Sequence, residues 1–212
     1  MTAVGQIVIL NGAPRSGKSS IVAAIQDTFE GPWMNLGVDV HARHVTPPRY
    51  QPGIGLRPKG DRPEVATLAP RLYAALYESI AAHSRQGLNV VVDVGHYGDD
   101  PSSRDILRDC ARRLLGLPVL MVGVQCPIAV IMQRRNAGQD GREGQYVTGA
   151  PDDPIPTPVR LWQDAVHQPG IYDIEIDTSV LTPIQCADVI RRQLGTASVG
   201  PAASERLAAS DS

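Results

Sequence analysis

"QIVILNGAPRSGKSSIVAAIQDTF", Gln6 to Phe29, is the stretch on which the fold turns. Gln6–Leu10 is an apolar run rich in β-branched residues, the pattern of a buried strand. Ile21, Val22, Ile25 and Phe29 recur at helical spacing. Between the two, Gly12 is followed after four residues by Gly17-Lys18-Ser19. That is the G-x-x-x-x-G-K-[ST] phosphate cradle, the Walker A spacing. Gly12 permits a tight turn, and Gly17 lets backbone approach phosphate closely. The loop's N–H groups and the positive end of the helix dipole attract an anion. Lys18 is placed to serve the β- and γ-phosphates, and the Ser19 hydroxyl to hold Mg²⁺. The expected nucleotide-binding set is Gly12, Ala13, Pro14, Arg15, Ser16, Gly17, Lys18, Ser19 and Ser20. A plain glycine turn between two ordinary elements would give Lys18 and Ser19 no reason to stand there.

The rest of the chain sets bounds. Its 212 residues suit one domain, expected over 1–195, with an Ala/Ser-rich tail, 196–212, expected to be disordered. The net charge of −2 does not favour nucleic acid. No apolar run approaches the ~20 residues that span a bilayer. "MTAVGQIVIL" lacks a basic leader, so no signal peptide is expected. Cys110, Cys126 and Cys186 lie far apart and read as buried thiols in a reducing cytoplasm, not as a disulfide frame or a zinc site.

Elements alternate along the chain. Strands are expected near Gln6–Asn11, Trp33–Asp39, Asn89–Gly95, Pro118–Cys126 and Ile171–Ser179, with helices between them. Thr182, Pro183 and Gly195 are the start and stop signals of a last helix. The pattern predicts a doubly wound, mostly parallel five-stranded sheet covered on both faces. Ligands of such sheets bind at the carboxyl ends of the strands. The phosphate loop, Asp39, Asp93 and Asp177 all fall there. Val45–Pro63 is too rich in Pro and Gly for regular structure and too long for a plain connection, so it reads as an acceptor-facing loop.

Asp93 ends "VVVD", a Walker B shape suited to Mg²⁺. Asp39 ends "NLGVD" and is expected to orient the attacking hydroxyl and take its proton; a helix cap is the alternative. In "RRNAGQDGR", Arg134 and Arg142 are read as catalytic guanidiniums for the transferring phosphate, within a lid near 134–163. Arg135 is a nucleotide contact or a solvated helix end. Thr178 lines a base pocket or caps the next helix. His41, His96 and Tyr97 are candidate acceptor contacts; too few ligands surround His41 and His44 for a metal site. His167 reads as structural.

With the phosphate loop, "GPWMNLGVD", "VVVD", "VGVQC", "RRNAGQDGR" and "YDIEIDTS" in order, the chain resembles chloramphenicol phosphotransferase and its relatives from Gln6 to Gly195. The resemblance implies a three-layer α/β/α kinase-like fold and transfer of the γ-phosphate of ATP or GTP to an antibiotic hydroxyl. It implies Asp39 as the base and the arginines of 134–142 as the lid. Three features depart from that pattern: the Pro/Gly content of Val45–Pro63, the added length of Pro151–Gln163, and Arg15 in a loop that usually holds small residues. The first two lie where an acceptor is gripped, which widens the expected substrates from chloramphenicol to other antibiotics, nucleoside-type ones included. A metabolic or toxin-like kinase acting on a sugar, nucleotide sugar or small acid is the alternative. A GTPase switch is disfavoured, because neither N-K-x-D nor D-x-x-G accompanies "DVGH" at Asp93. A homo-oligomer is compatible with everything above.

Overall fold

A computed structural model describes residues 3–51, 67–96, 101–137, 146–196 and 200–210, with backbone alone for 101–104. Ile7–Asn11 forms β1, buried along its whole length. It lies between β3, Asn89–Val94, and β4, Val119–Gln125, in parallel with both. β2, Trp33–Asn35, pairs with β3, and β5, Ile174–Asp177, pairs with β4. The sheet is five-stranded, with order β2-β3-β1-β4-β5 and every pair parallel. Central strands buried on both faces must be apolar at every position, which is why "IVIL" and "VVV" do not alternate with polar residues.

Successive side chains of a strand point to opposite faces, so each strand feeds two cores. Val8, Leu10, Val122 and Val124 pack against α1, Lys18–Thr28, and α7, Pro183–Leu194, through Ile21, Ile25, Cys186 and Ile190. Ile7, Ile9, Val90 and Val92 pack on the other face against α3, Ala69–Arg85, and α4, Pro101–Arg113, through Leu76, Ile80 and Leu107. A smaller cluster joins Ala13 and Cys126 to α5, Ile128–Asn136, and to the segment around α6, Thr157–Ala165. Among the described residues no helix is long and apolar enough to cross a membrane.

Three sequence expectations change. The second strand stops at Asn35, and Asp39 does not end it. The Gly37 N–H bonds the Asn35 side chain at 3.0 Å, and the chain turns there into α2, Val38–Val40, which runs on as a π-helical turn, His41–Val45. The last strand is likewise shorter than Ile171–Ser179. The tail carries a helix, α8, Ala203–Ala209, with Ala203 and Leu207 buried in the core beside α4. Within Pro151–Gln163, α6 begins at Thr157. Of Val45–Pro63, a short 3₁₀ turn at Pro48–Tyr50 is seen, and positions 52–63 lie outside the described residues.

Candidate active site

The phosphate loop turns from the end of β1 into α1. A Cβ on Gly12 would lie 2.5 Å from the Val124 carbonyl oxygen, so only glycine lets the loop pass β4. Gly17 stands at the N-terminus of α1 with φ of 100°, a left-handed conformation that glycine adopts without strain. Arg15 also has a positive φ, 72°, which costs a non-glycine residue about 1–2 kcal/mol. A reciprocal clasp holds it there. The Arg15 guanidinium donates to the Arg134 carbonyl at 2.6 Å, and Arg134 Nη1 donates back to the Arg15 carbonyl at 3.3 Å.

Arg134 reaches the loop from α5 and is half-buried. Its Nη2 donates to the Thr178 carbonyl at 2.7 Å and its Nη1 to Thr178 Oγ1 at 3.2 Å. Thr178 Oγ1 in turn donates to the Ser16 carbonyl at 2.6 Å. The end of β5, the end of α5 and the loop are thus tied at one point. Thr178 caps no helix; that role belongs to Thr182, whose hydroxyl accepts from the Gln185 N–H.

Lys18 Nζ donates to the carbonyls of Gly12 and Ala13 at 2.7 and 2.9 Å, so it lies over the loop. Burial pushes its ammonium pKa down, and the carboxylates of Asp93 and Asp39 push it back up. Ser19 Oγ donates to Asp93 Oδ2 at 2.9 Å. Gly37 makes room for that carboxylate, since a Cβ there would collide with Asp93 Oδ1. Among the described residues no three His, Cys, Asp or Glu side chains are grouped to hold a metal. The donor pair of Ser19 hydroxyl and Asp93 carboxylate fits Mg²⁺ instead, a hard cation that takes oxygen and keeps places for phosphate and water.

These residues line a cleft of about 650 Å³ at the carboxyl ends of the strands. Pro14, Arg15, Arg134, Thr178, Leu181 and Pro183 form its β5 side. Val38, Asp39, Tyr73, Asp93 and Gly95 form its β3 side, with Trp162 from α6 beside Gly95. Ser20 lines it too, whereas Ala13 and Ser16 are buried within the loop. Asp39 therefore shares the cleft with the loop even though it sits on a helical turn.

Other expected residues fall elsewhere. His96 is a core residue and lines no part of the cleft: its Nε2 meets the Tyr77 hydroxyl at 2.8 Å, and its N–H donates to Asn11 Oδ1 at 2.8 Å. Burial holds its pKa down at about 4. His41 is half-buried outside the cleft lining, with its pKa lowered by burial. Arg135 does not line the cleft either; it donates to the Val147 carbonyl at 3.2 Å and stacks on Tyr146 at 5.3 Å. Tyr97 and Arg142 lie outside the described residues. Tyr73, Gly95, Tyr146 and Trp162 were not singled out from the sequence. Only the scarcity of aromatic residues, 4% of the chain, could have drawn attention to Tyr73, Tyr146 and Trp162.

The model of the chloramphenicol phosphotransferase-like proteins matches residues 5–195. A protein of Mycobacterium tuberculosis strain H37Rv, provisionally named an O-phosphotransferase, is 28% identical over 194 residues, covering 85% of this chain and 77% of its own. Solved structures share the fold. The Mycobacterium tuberculosis APS kinase in complex with AMPPNP and APS superposes with TM-score 0.60 at 14% identity, over 91% of this chain and 99% of that one. The Deinococcus radiodurans tunicamycin resistance protein does so with TM-score 0.58 at 17% identity, over 93% and 99%. A shikimate kinase from Acinetobacter baumannii in complex with shikimate gives 0.54 at 12%, over 91% and 94%. The phosphate loop over a parallel sheet and the match across nearly the whole chain agree: this is a phosphotransferase acting on a hydroxyl, and it belongs to the chloramphenicol phosphotransferase-like family.

Proposed function

We propose that the protein transfers the γ-phosphoryl group of ATP or GTP to a hydroxyl of a small-molecule antibiotic and so confers resistance to it. The observation that carries this reading is the shared cleft of Lys18, the Ser19–Asp93 pair and Asp39. The family description, chloramphenicol phosphotransferase-like, supports the antibiotic class. The three buried free thiols suit a reducing cytoplasm.

Catalysis of phosphoryl transfer is mostly positioning and charge stabilisation. Lys18 would exchange two carbonyl partners for the β- and γ-phosphates. Mg²⁺, when bound, neutralises charge on the phosphate oxygens. Ser19 and Asp93 would hold it, and Gly37 keeps that corner open. Arg134 presents a guanidinium from the clasp toward the β5 side, and Arg142 from the 134–163 segment would join it. Asp39 would accept the acceptor's hydroxyl proton and aim its oxygen along the transfer line.

The test is incubation with ATP or GTP, Mg²⁺ and a panel of antibiotic alcohols, read by mass spectrometry for an added phosphate. Asp39→Asn should lower kcat by roughly 10²–10⁴-fold with nucleotide affinity little changed. An intact kcat would remove Asp39 from the base role. Phosphorylation of a sugar or small acid but of no antibiotic would move the protein to the metabolic kinases.

A further inference from the structure

We propose that Arg15 is a positioning residue of the phosphate site: it acts through Arg134, whose guanidinium it holds over the N-terminus of α1, where phosphates would bind. This rests on the phosphotransfer reading and adds how the loop aims a cation that it does not itself carry. The backbone is the first support. Among the described residues Arg15 is the only non-glycine with a positive φ. Glycine would adopt that turn freely and would still point the loop's N–H groups inward. An arginine there is strained, so its side chain has to offset what its backbone loses.

The side chain does so by gripping a helix end. Arg15 Nη2 donates to the Arg134 carbonyl at 2.6 Å. That carbonyl lies in the last turn of α5, whose final carbonyls have no partner within the helix. A guanidinium there also suits the negative end of the helix dipole. The Tyr146 ring, its centre 5.6 Å from the Arg15 guanidinium, helps to keep that group in place. Arg134 Nη1 returns a bond to the Arg15 carbonyl at 3.3 Å. Arg15 thus holds Arg134 by its backbone and by its side chain. The group so held is ready for an anion. Arg134 Nη1 would lie 3.5 Å from a Cβ on Gly17, so the guanidinium stands over the first turn of α1. Its contacts with Arg15, Cys126 and Thr178 occupy Nη1 and one hydrogen of Nη2. The Nε–H and the second Nη2 hydrogen have no partner among the described residues, and Arg134 lines the cleft. Two N–H groups of one guanidinium match two oxygens of a phosphate.

Calorimetric titration of the full chain with Mg²⁺–AMPPNP, paired with thermal melts without nucleotide, tests this. Arg15→Ala loses the grip and keeps the strained turn, whereas Arg15→Gly loses the grip and relaxes the turn. Both should weaken Mg²⁺–AMPPNP binding about tenfold and to the same extent. Tm should nevertheless be lower for Arg15→Ala than for Arg15→Gly. Binding that follows Tm, with Arg15→Gly close to wild type, would make Arg15 a merely structural residue and overturn the proposal. A double-mutant cycle with Arg134→Gln separates action through Arg134 from a direct hold on phosphate. In the Arg134→Gln background Arg15→Ala should change the affinity by about twofold at most. A second full loss there would mean that Arg15 meets the phosphates itself, and the proposal would fall. AMPPNP that fails to bind the wild-type chain would sink the phosphotransfer reading instead. The same cycle read in melts without nucleotide would still decide whether Arg15 holds Arg134: strictly additive losses of Tm would exclude it.

Discussion

Lys18 lies across the carbonyls of Gly12 and Ala13 and is felt by two carboxylates, so one side chain connects the loop to both acidic positions of the cleft. Lys18→Ala should reduce phosphate transfer by about 10²–10³-fold or more at saturating nucleotide, the scale of losing one preorganised charge-stabilising group. Near wild-type turnover would remove the loop from catalysis. Gly37→Ala is a subtler probe. Its methyl would displace the Asp93 carboxylate, so the Mg²⁺ concentration for half-maximal activity should rise while the fold survives. His96 makes a different prediction. Its pKa falls from 6.5 to about 4 because the buried ring resists charging. Between those values the unfolded chain binds a proton that the folded chain refuses. Stability is therefore complete above about pH 6.5 and declines as pH falls toward 4, by roughly 3 kcal/mol for this group over the window. His41 and His167, also lowered by burial, add to the slope with the same sign. Denaturant melts of His96→Gln across this range should show a flatter pH dependence; an unchanged slope would mean that His96 already charges freely in the folded protein.

At the scale of elements, α7 was legible in full. Thr182, Pro183 and Gly195 are local signals that act through the backbone of their own helix, and Thr182 caps it as expected, with Gln185 completing a capping box. Strand β2 was misread because "NLGVD" carries no breaker stronger than a glycine, while the turn at Gly37 depends on Asn35 and on space beside Asp93. The C-terminal helix α8 was missed for the same kind of reason. Asp173 binds the Ala203 N–H at 2.7 Å and the Met121 N–H at 2.8 Å, joining the tail to β4 through a residue far from both in sequence. Leu207 is 3% exposed. Leu207→Ala should cost about 2–5 kcal/mol in a denaturant melt, as other buried Leu→Ala changes do. A loss below half a kcal/mol would show that α8 detaches readily in solution.

The whole molecule is organised around one junction. The Arg134–Thr178–Ser16 chain of hydrogen bonds joins α5, the end of β5 and the phosphate loop. A nucleotide that binds the assembled junction but not the unfolded chain stabilises the fold by mass action, about 2.7 kcal/mol at a hundred times its Kd. Mg²⁺–AMPPNP should therefore raise Tm in a concentration-dependent way, and Lys18→Ala should abolish most of the rise. Thr178→Val removes the hydroxyl from its partners Arg134, Ser16 and Gln125. It should lower Tm without nucleotide, by an amount equivalent to about 1–3 kcal/mol, and weaken nucleotide binding as well. A loss of stability with unaltered binding would make Thr178 a purely structural tie.

The sequence by itself determined the phosphate loop, the parallel sheet with its two helical faces, and the acidic positions Asp39 and Asp93. Each rests on short-range spacing: apolar runs that must be buried, glycines where backbone must approach, a lysine and a serine directly after the second of them. Only the tertiary structure decided that Asp39 reaches the cleft from a helical turn, that His96 faces the core, that Thr178 ties the loop, and that Trp162 walls the site. Those outcomes depend on which strand lies beside which and on the few ångströms between groups far apart along the chain. In the order β2-β3-β1-β4-β5 the neighbours of the loop come from distant segments, and no local pattern in those segments records that they will meet.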